Sequence, residues 1–275
     1  MAGTVPALPR AGERVAVVGC GTSWFIAQAY AALRETSGQG LTDAFPASEF
    51  PAGRHYDRVL ALTRSGTTTE VLELLARLRG RVHTVAVTAD PRTPVMRSAD
   101  DVVVLDFADE QSVVQTRFAT TQLILLRAHL GEDTAAAVVD GERALAEPLS
   151  RDLVTAEQFT FLGRGWTRGL AQEAALKMRE AAGAWTEAYP AMEYRHGPIS
   201  IAAPGRVVWM FGAPPAGLAE QVAATGATLV TTGLDPLADL VRVQRLAVAV
   251  ARHRGLNPDQ PRNLTRSVIL PDGLP

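Results

Sequence analysis

Short apolar runs alternate along the chain with longer amphipathic stretches. RVAVVG (14–19), RVLALT (58–63), VHTVAVT (82–88) and DVVVLDF (101–107) are too short for core helices and rich in β-branched residues, which predicts buried strands. FTFLGRG (159–165), RVVWMFG (206–212) and ATLVTTG (227–233) repeat the pattern further on. Strand and helix in alternation predict an α/β chain, with parallel sheets covered by helices on both faces. The stretch HLGEDTAAAVVDGERALAEPLSRD (129–152) is polar and helical between two strand-rich regions. It is the natural place to divide the chain, giving an N-terminal subdomain of residues 1–148 and a C-terminal subdomain of residues 149–275.

The two subdomains resemble each other. VGCGTSWFIAQAYAA and LGRGWTRGLAQEAAL superpose at a constant offset, with Gly19 on Gly163, Gly21 on Gly165, Ala27 on Ala171, Gln28 on Gln172 and Ala31 on Ala175. A duplicated strand, glycine turn and helix accounts for this. So does the glycine demand of any Rossmann-like unit, and both readings stand at this point.

Composition narrows the function. At 275 residues and 47% hydrophobic, the chain can fill two ordinary cores. A net charge of -2 with acids and bases dispersed leaves no basic stripe, so no nucleic-acid partner is expected. MAGTVPALPRAGER has no apolar core of signal-peptide length, and no later segment is long and uncharged enough to span a bilayer. A cytoplasmic location without membrane association is the expectation. Cys20 is the sole cysteine, which excludes an internal disulfide and a thiolate metal cage; no metal or other cofactor is expected.

Candidate chemistry lies in three places. GCGTS (19–23) follows a strand and opens a helix, so its amides can face an anion. It is not the dinucleotide fingerprint, because Trp24 sits where the third glycine belongs. That argues against a nucleotide-dependent oxidoreductase. LALTRSGTTTEVLELL (60–75) places Thr63, Ser65, Thr67, Thr68 and Thr69 around Gly66 between a strand and a helix. Hydroxyls at a helix N-terminus suit a phosphate monoester; they also suit plain capping of that helix.

The third place is QEAALKMREAAG (172–183), which holds the only lysine among 27 cationic residues. Glu173, Lys177 and Glu180 share one helical stripe beside a face of Ala171, Ala174, Ala175, Met178, Ala181 and Ala182. A surface ion pair at i, i+4 gives this pattern, and GC-rich coding explains scarce lysine. Yet arginine makes such a pair equally well, whereas only lysine offers a compact amine able to move protons or attack a carbonyl. Downstream, TEAYPAMEYRHGPIS (186–200) reads as a loop with Tyr189, Glu193 and His196. Of the five histidines, His55, His83, His129 and His253 read as surface or structural, which leaves His196 as the acid/base candidate.

EAALKMREAAGAWTEAYPAMEYRHGP, CGTS, TRSGTTTE and the tail DQPRNLTRSV, taken together, resemble the sugar isomerase (SIS) domains, most closely the isomerase domains of glucosamine-6-phosphate synthases. The similarity runs from Val15 to Val268. It implies two flavodoxin-like subdomains of three αβα layers, a homodimer with shared active sites, and a hexose 6-phosphate as substrate. By position, Thr63, Arg64, Ser65 and Thr68 match the phosphate loop, with Cys20, Gly21, Thr22 and Ser23 near the sugar. Glu180 matches the base that moves a proton between C1 and C2, Lys177 its neighbour at the carbonyl, and His196 the ring-opening residue reaching across the dimer.

The departures carry equal weight. The family's tail lysine, which forms an imine with a ketose, is Arg266 here, and a guanidinium cannot form a Schiff base. Thr67 replaces a carboxylate, and the usual N-terminal helix is absent. No glutamine-hydrolysing domain precedes the first strand and Ala2 follows Met1, so synthase activity by this chain alone is not expected. What remains implies an enzyme that opens an amino or N-acetylamino hexose 6-phosphate and removes its C2 proton, as an isomerase or deaminase. Alternatives are a lyase that eliminates water from an N-acetylhexosamine 6-phosphate and a non-catalytic sugar-phosphate sensor. Such sensors commonly carry a helix-turn-helix segment, which the residues before the first strand are too few to form.

Overall fold

The computed structural model describes residues 7–271. They form two compact units, one holding the chain up to Asp133 and again from Thr265, the other Thr134–Leu264.

The first unit is built on five parallel strands, β1 (Val15–Gly19), β2 (Thr42–Pro46), β3 (Arg58–Leu62), β4 (His83–Thr88) and β5 (Asp101–Val104), in the order β2-β1-β3-β4-β5. Its helices are α1 (Thr22–Thr36), α2 (Thr69–Leu78) and α3 (Arg117–His129). Side chains alternate across each strand. Ala16, Val18, Val59, Ala61 and Ala86 face Val71, Leu74 and Leu75 of α2, while Val15 and Val17, equally buried, face the opposite layer. Each such valine or leucine contributes about 1.5–3 kcal/mol by leaving water.

The second unit begins with α4 (Ala135–Ala146) and the single turn α5 (Arg151–Val154). Its sheet contains β6 (Gln158–Gly163), β7 (Trp185–Pro190), β8 (Arg206–Met210) and β9 (Thr228–Val230), in the order β7-β6-β8-β9. Helices α6 (Thr167–Ala182), α7 (Leu218–Ala224) and α8 (Pro236–His253) cover it. α4 packs on α8, so that helix, written before residue 148 in sequence, lies with the second unit. Leu162, Val208 and Met210 pack on Leu218 and Val222 of α7.

All seven apolar runs are strands or contain one, and every ladder is parallel. Two strands escaped the pattern, β2 (TDAFP) and β7 (WTEAYP). Both are sheet edges in which only the threonine is fully buried, so they lack the apolar run that marks central strands. Each ends in a proline, which an edge tolerates because the missing N–H faces no partner. The duplication is visible here too. Pro46 stands in register with Gly19 and Pro190 with Gly163. A Cβ on Gly19 would lie 2.7 Å from the Ser23 carbonyl carbon, and one on Gly163 2.3 Å from the Thr167 oxygen, so each helix starts against a bare backbone.

Candidate active site

β1 and β3 are neighbours, so the turns that leave them emerge side by side at the carboxyl edge of the first sheet, where parallel sheets hold ligands. After β3, Thr63, Arg64 and Ser65 are buried and the chain bends at Gly66, whose φ is +63. A Cβ there would meet Thr93 Oγ1 at 2.1 Å and Val95 Cγ1 at 2.8 Å, so glycine is required twice over. The hydroxyls do not serve as caps of α2. The Thr68 side chain makes no cap bond, and the first helical amide, that of Thr69, donates instead to the Val268 carbonyl at 3.1 Å. Thr63 Oγ1 accepts from Gly66 N–H at 3.3 Å and Ser65 Oγ from Thr67 N–H at 3.3 Å, which shapes the bend. Ser65 Oγ and Thr68 Oγ1 touch at 3.4 Å, long for two hydroxyls, which leaves both able to turn toward an anion.

Arg64 is placed differently from a phosphate clamp. Its guanidinium donates to the carbonyls of Ser112, Val113 and Arg266 at 3.0, 3.0 and 3.2 Å, so it ties the tail to the segment before α3. Thr67 Oγ1 meets Ser267 Oγ at 2.8 Å, and Leu270 N–H donates to Thr69 Oγ1 at 2.9 Å. Arg266 points its own guanidinium to Asp109 Oδ1 at 2.5 Å and to the Glu110 carbonyl. Sequence reasoning missed Asp109 and Glu110, which carry no local signal for this role.

After β1, Gly21 opens α1, whose first turn holds no acidic residue, and Thr22 and Ser23 are buried at its start. Burial, with Glu70 adding to it, pushes the half-buried Cys20 thiol up to about 11. It is a neutral S–H, not a nucleophile.

In the second unit, α6 resolves the ambiguity of the lysine stripe. Lys177 is 1% exposed and Glu173 0%, so this is no surface pair. Lys177 Nζ is hydrogen-bonded to Glu180 Oε2 and lies 3.6 Å from Glu173 Oε1. The alanine and Met178 face expected beside it is buried throughout, which sinks the stripe into the unit. Glu180 alone of the three keeps access to solvent, with a side chain 20% exposed. The arrangement is an inner carboxylate, an amine, and an outer carboxylate, with the amine hydrogen-bonded to the outer one. A cavity of about 630 Å³ opens at this end of α6, lined by Glu180, Arg179, Arg254, Asn257, Gln260 and Arg262. The last four of these belong to the segment after α8, from which sequence reasoning singled out only Arg266.

His196 follows a short 3-10 turn (Glu193–Arg195) and is exposed. Tyr189 donates its hydroxyl to Glu187 at 2.9 Å, and burial pushes the Tyr194 phenol up to about 12. His83 pairs with Asp101 at 2.8 Å and His129 Nε2 bonds the Pro9 carbonyl at 2.8 Å, both structural roles. Among the described residues no three His, Cys, Asp or Glu gather to hold a metal ion, and no helix is long and apolar enough to cross a membrane.

Comparison with known proteins bears on the family and the fold. Residues 8–130 match the model of the SIS domain. The glutamine–fructose-6-phosphate aminotransferase (isomerizing) of Methanothermobacter thermautotrophicus is 28% identical, over 94% of this chain and 52% of the relative. That of Pyrobaculum aerophilum is 31% identical, over 78% and 44%. The chain spans about half the length of the curated relatives it matches. Among solved structures, glucosamine-6-phosphate deaminase from Thermotoga maritima matches with a TM-score of 0.81 at 27% identity, covering 94% of this chain and 92% of that one. Tagatose-6-phosphate ketose/aldose isomerase from Escherichia coli, at 16% identity and a TM-score of 0.77 over 98% and 88%, shares the fold. On the family model and these relatives, residues 8–130 carry a SIS domain, and 94% of the chain is similar to about half of the isomerizing aminotransferase of Methanothermobacter thermautotrophicus.

Proposed function

We propose that the chain is an enzyme acting on an amino or N-acetylamino hexose 6-phosphate, by ring opening and abstraction of the C2 proton, in the manner of an isomerase or deaminase. The observation that carries this reading is the buried amine between two carboxylates, only one of which reaches solvent. A charge cluster of that kind costs desolvation energy that a merely structural helix has no reason to bear.

In this reading the bend at Thr63–Thr68 takes the phosphate, with Ser65 and Thr68 donating hydroxyls and the start of α2 supplying its partial positive charge. Exposed His196 moves the proton that opens the ring, and the family resemblance has it do so in the site of a second subunit. Glu180 takes the C2 proton and returns it to C1, while Lys177 steadies the oxygen at the carbonyl carbon. With a free C2 amine, proton return at C1 leaves a ketimine. Water then adds at C2 and ammonia departs, giving the ketose phosphate. This route starts from an aldose and needs no enzyme imine, which suits Arg266. The deaminase among the similar structures supports the same direction.

The test is incubation of glucosamine 6-phosphate and its N-acetyl form in deuterated water. Deuterium entering the sugar, with Glu180→Gln abolishing the exchange but not sugar-phosphate binding, is the expected result. Released ammonia identifies a deaminase, net ketose an isomerase, and an unsaturated ultraviolet-absorbing product the lyase. Absence of exchange with every hexose phosphate tried overturns the enzyme reading in favour of a sensor.

A further inference from the structure

A separate cavity, of about 550 Å³, lies in the first unit, at the end of its sheet opposite the hydroxyl bend. That size suits a small molecule. Its floor is apolar, made by Phe50, Tyr56, Val59, Leu74, Leu78 and Val82, and the rings of Phe50 and Tyr56 meet at 5.8 Å with an interplanar angle of 55°. Its rim is cationic. Arg54, His55, Arg77 and Arg81 line it and no carboxylate does.

Arg54 is neutralised by Asp43 at 3.1 Å. The guanidiniums of Arg77 and Arg81 make no ion pair or side-chain hydrogen bond among the described residues. A cation in the last turn of α2 complements the helix dipole, and that accounts for Arg77. It does not account for Arg81, beyond the helix, or for His55, from a different loop. Aromatic walls under a fork of unpaired guanidiniums are complementary to a flat apolar body carrying a negative group.

We propose that this cavity binds a small aromatic anion, its ring on Phe50 and Tyr56 and its charged group on Arg77 and Arg81. The site is separate from the hydroxyl bend and independent of the activity proposed above.

The probe is anilinonaphthalene sulfonate, followed by its fluorescence with the folded full chain. Saturable binding at one site is expected. The double substitution Arg77→Ala/Arg81→Ala should weaken it at least about tenfold with an unchanged melting temperature, since both charge-assisted contacts to the anion are lost. Arg77→Lys/Arg81→Lys should retain most of the affinity, and Ser65→Ala/Thr68→Ala all of it. Four results overturn the proposal: no saturable binding; equal affinity in the double alanine variant; loss of binding in the Ser65/Thr68 variant instead; or a change of oligomeric state in the double alanine variant, which would show a second copy of the chain covering this face.

Discussion

Lys177→Met isolates the energetics of the buried stripe. The substitution removes the amine but keeps an unbranched side chain of similar length, in a slot 1% exposed. Glu173, 0% exposed, then loses a cation at 3.6 Å. Breaking a buried pair on one side costs about 3–5 kcal/mol, because the surviving charge stays desolvated. Against a native stability of roughly 5–15 kcal/mol this is a large fraction. It corresponds to a fall in melting temperature of roughly 10–20 °C for a unit of this size. Removing both partners, as Lys177→Met/Glu173→Leu, should recover most of the loss, with a coupling energy of at least about 2 kcal/mol. Glu180→Gln, which keeps an acceptor for the amine and leaves Glu173 beside it, should cost less than Lys177→Met. Urea unfolding followed by tryptophan fluorescence and far-ultraviolet circular dichroism reads every variant, and Trp166, Trp185 and Trp209 report from the same unit as the stripe. A Lys177→Met variant within about 1 kcal/mol of the parent, or single effects that simply add, would refute the reasoning.

Three further outcomes follow. Asp239 accepts the Trp209 indole N–H at 2.9 Å, is 1% exposed, and is pushed up to about 6 by burial. A carboxyl whose folded value exceeds its unfolded one stabilises the protein below the unfolded value and loses that contribution as pH rises through about 6. Stability should therefore fall by about 2 kcal/mol from this group between pH 4 and 7, and Asp239→Asn should flatten that part of the pH profile of urea unfolding. The Cys20 thiol should react with iodoacetamide at pH 8 roughly a hundredfold more slowly than a free cysteine thiol, and a rate near the free value would mean the turn is open. Arg266→Ala should release the tail, so that the amides of Thr69 and Leu270 exchange hydrogen at least about tenfold faster, and unchanged protection would show that Asp109 and Glu110 do not anchor it.

The core strands were legible because a strand buried on both faces must be apolar along its whole length, and no other element of that length is. The edge strands β2 and β7 were not, since one pairing partner and one exposed side leave TDAFP and WTEAYP free to be polar. The position of the hydroxyl bend was legible and the work of its residues was not. Arg64 bonds carbonyls 48, 49 and 202 residues away, and no local pattern encodes contacts at that distance. The lysine stripe was legible as a stripe. Whether it faced water was undecided, because a surface pair and a buried triad share the same spacing.

Positions 177 and 266 show why the two cations of this chain are not interchangeable. The slot at 177 is closed and flanked by carboxylates on successive turns of one helix. An ammonium on a flexible stem reaches both without filling the space that a planar guanidinium needs. At 266 the demand is reversed. Two acceptors, a side-chain oxygen of Asp109 and the main-chain oxygen of Glu110, are spanned at once by one rigid fork, and Arg64 fixes the same residue by its carbonyl. An ammonium there would be a point charge able to leave either partner, whereas the guanidinium makes the tail part of the bend it crosses. The family resemblance marks 266 as the place of an imine-forming amine, and the structure shows a residue whose chemistry has been given over to holding the tail. In the proposed reaction, proton transfer at C2 therefore rests on Glu180, and the one amine that arginine could not replace steadies the oxygen beside it.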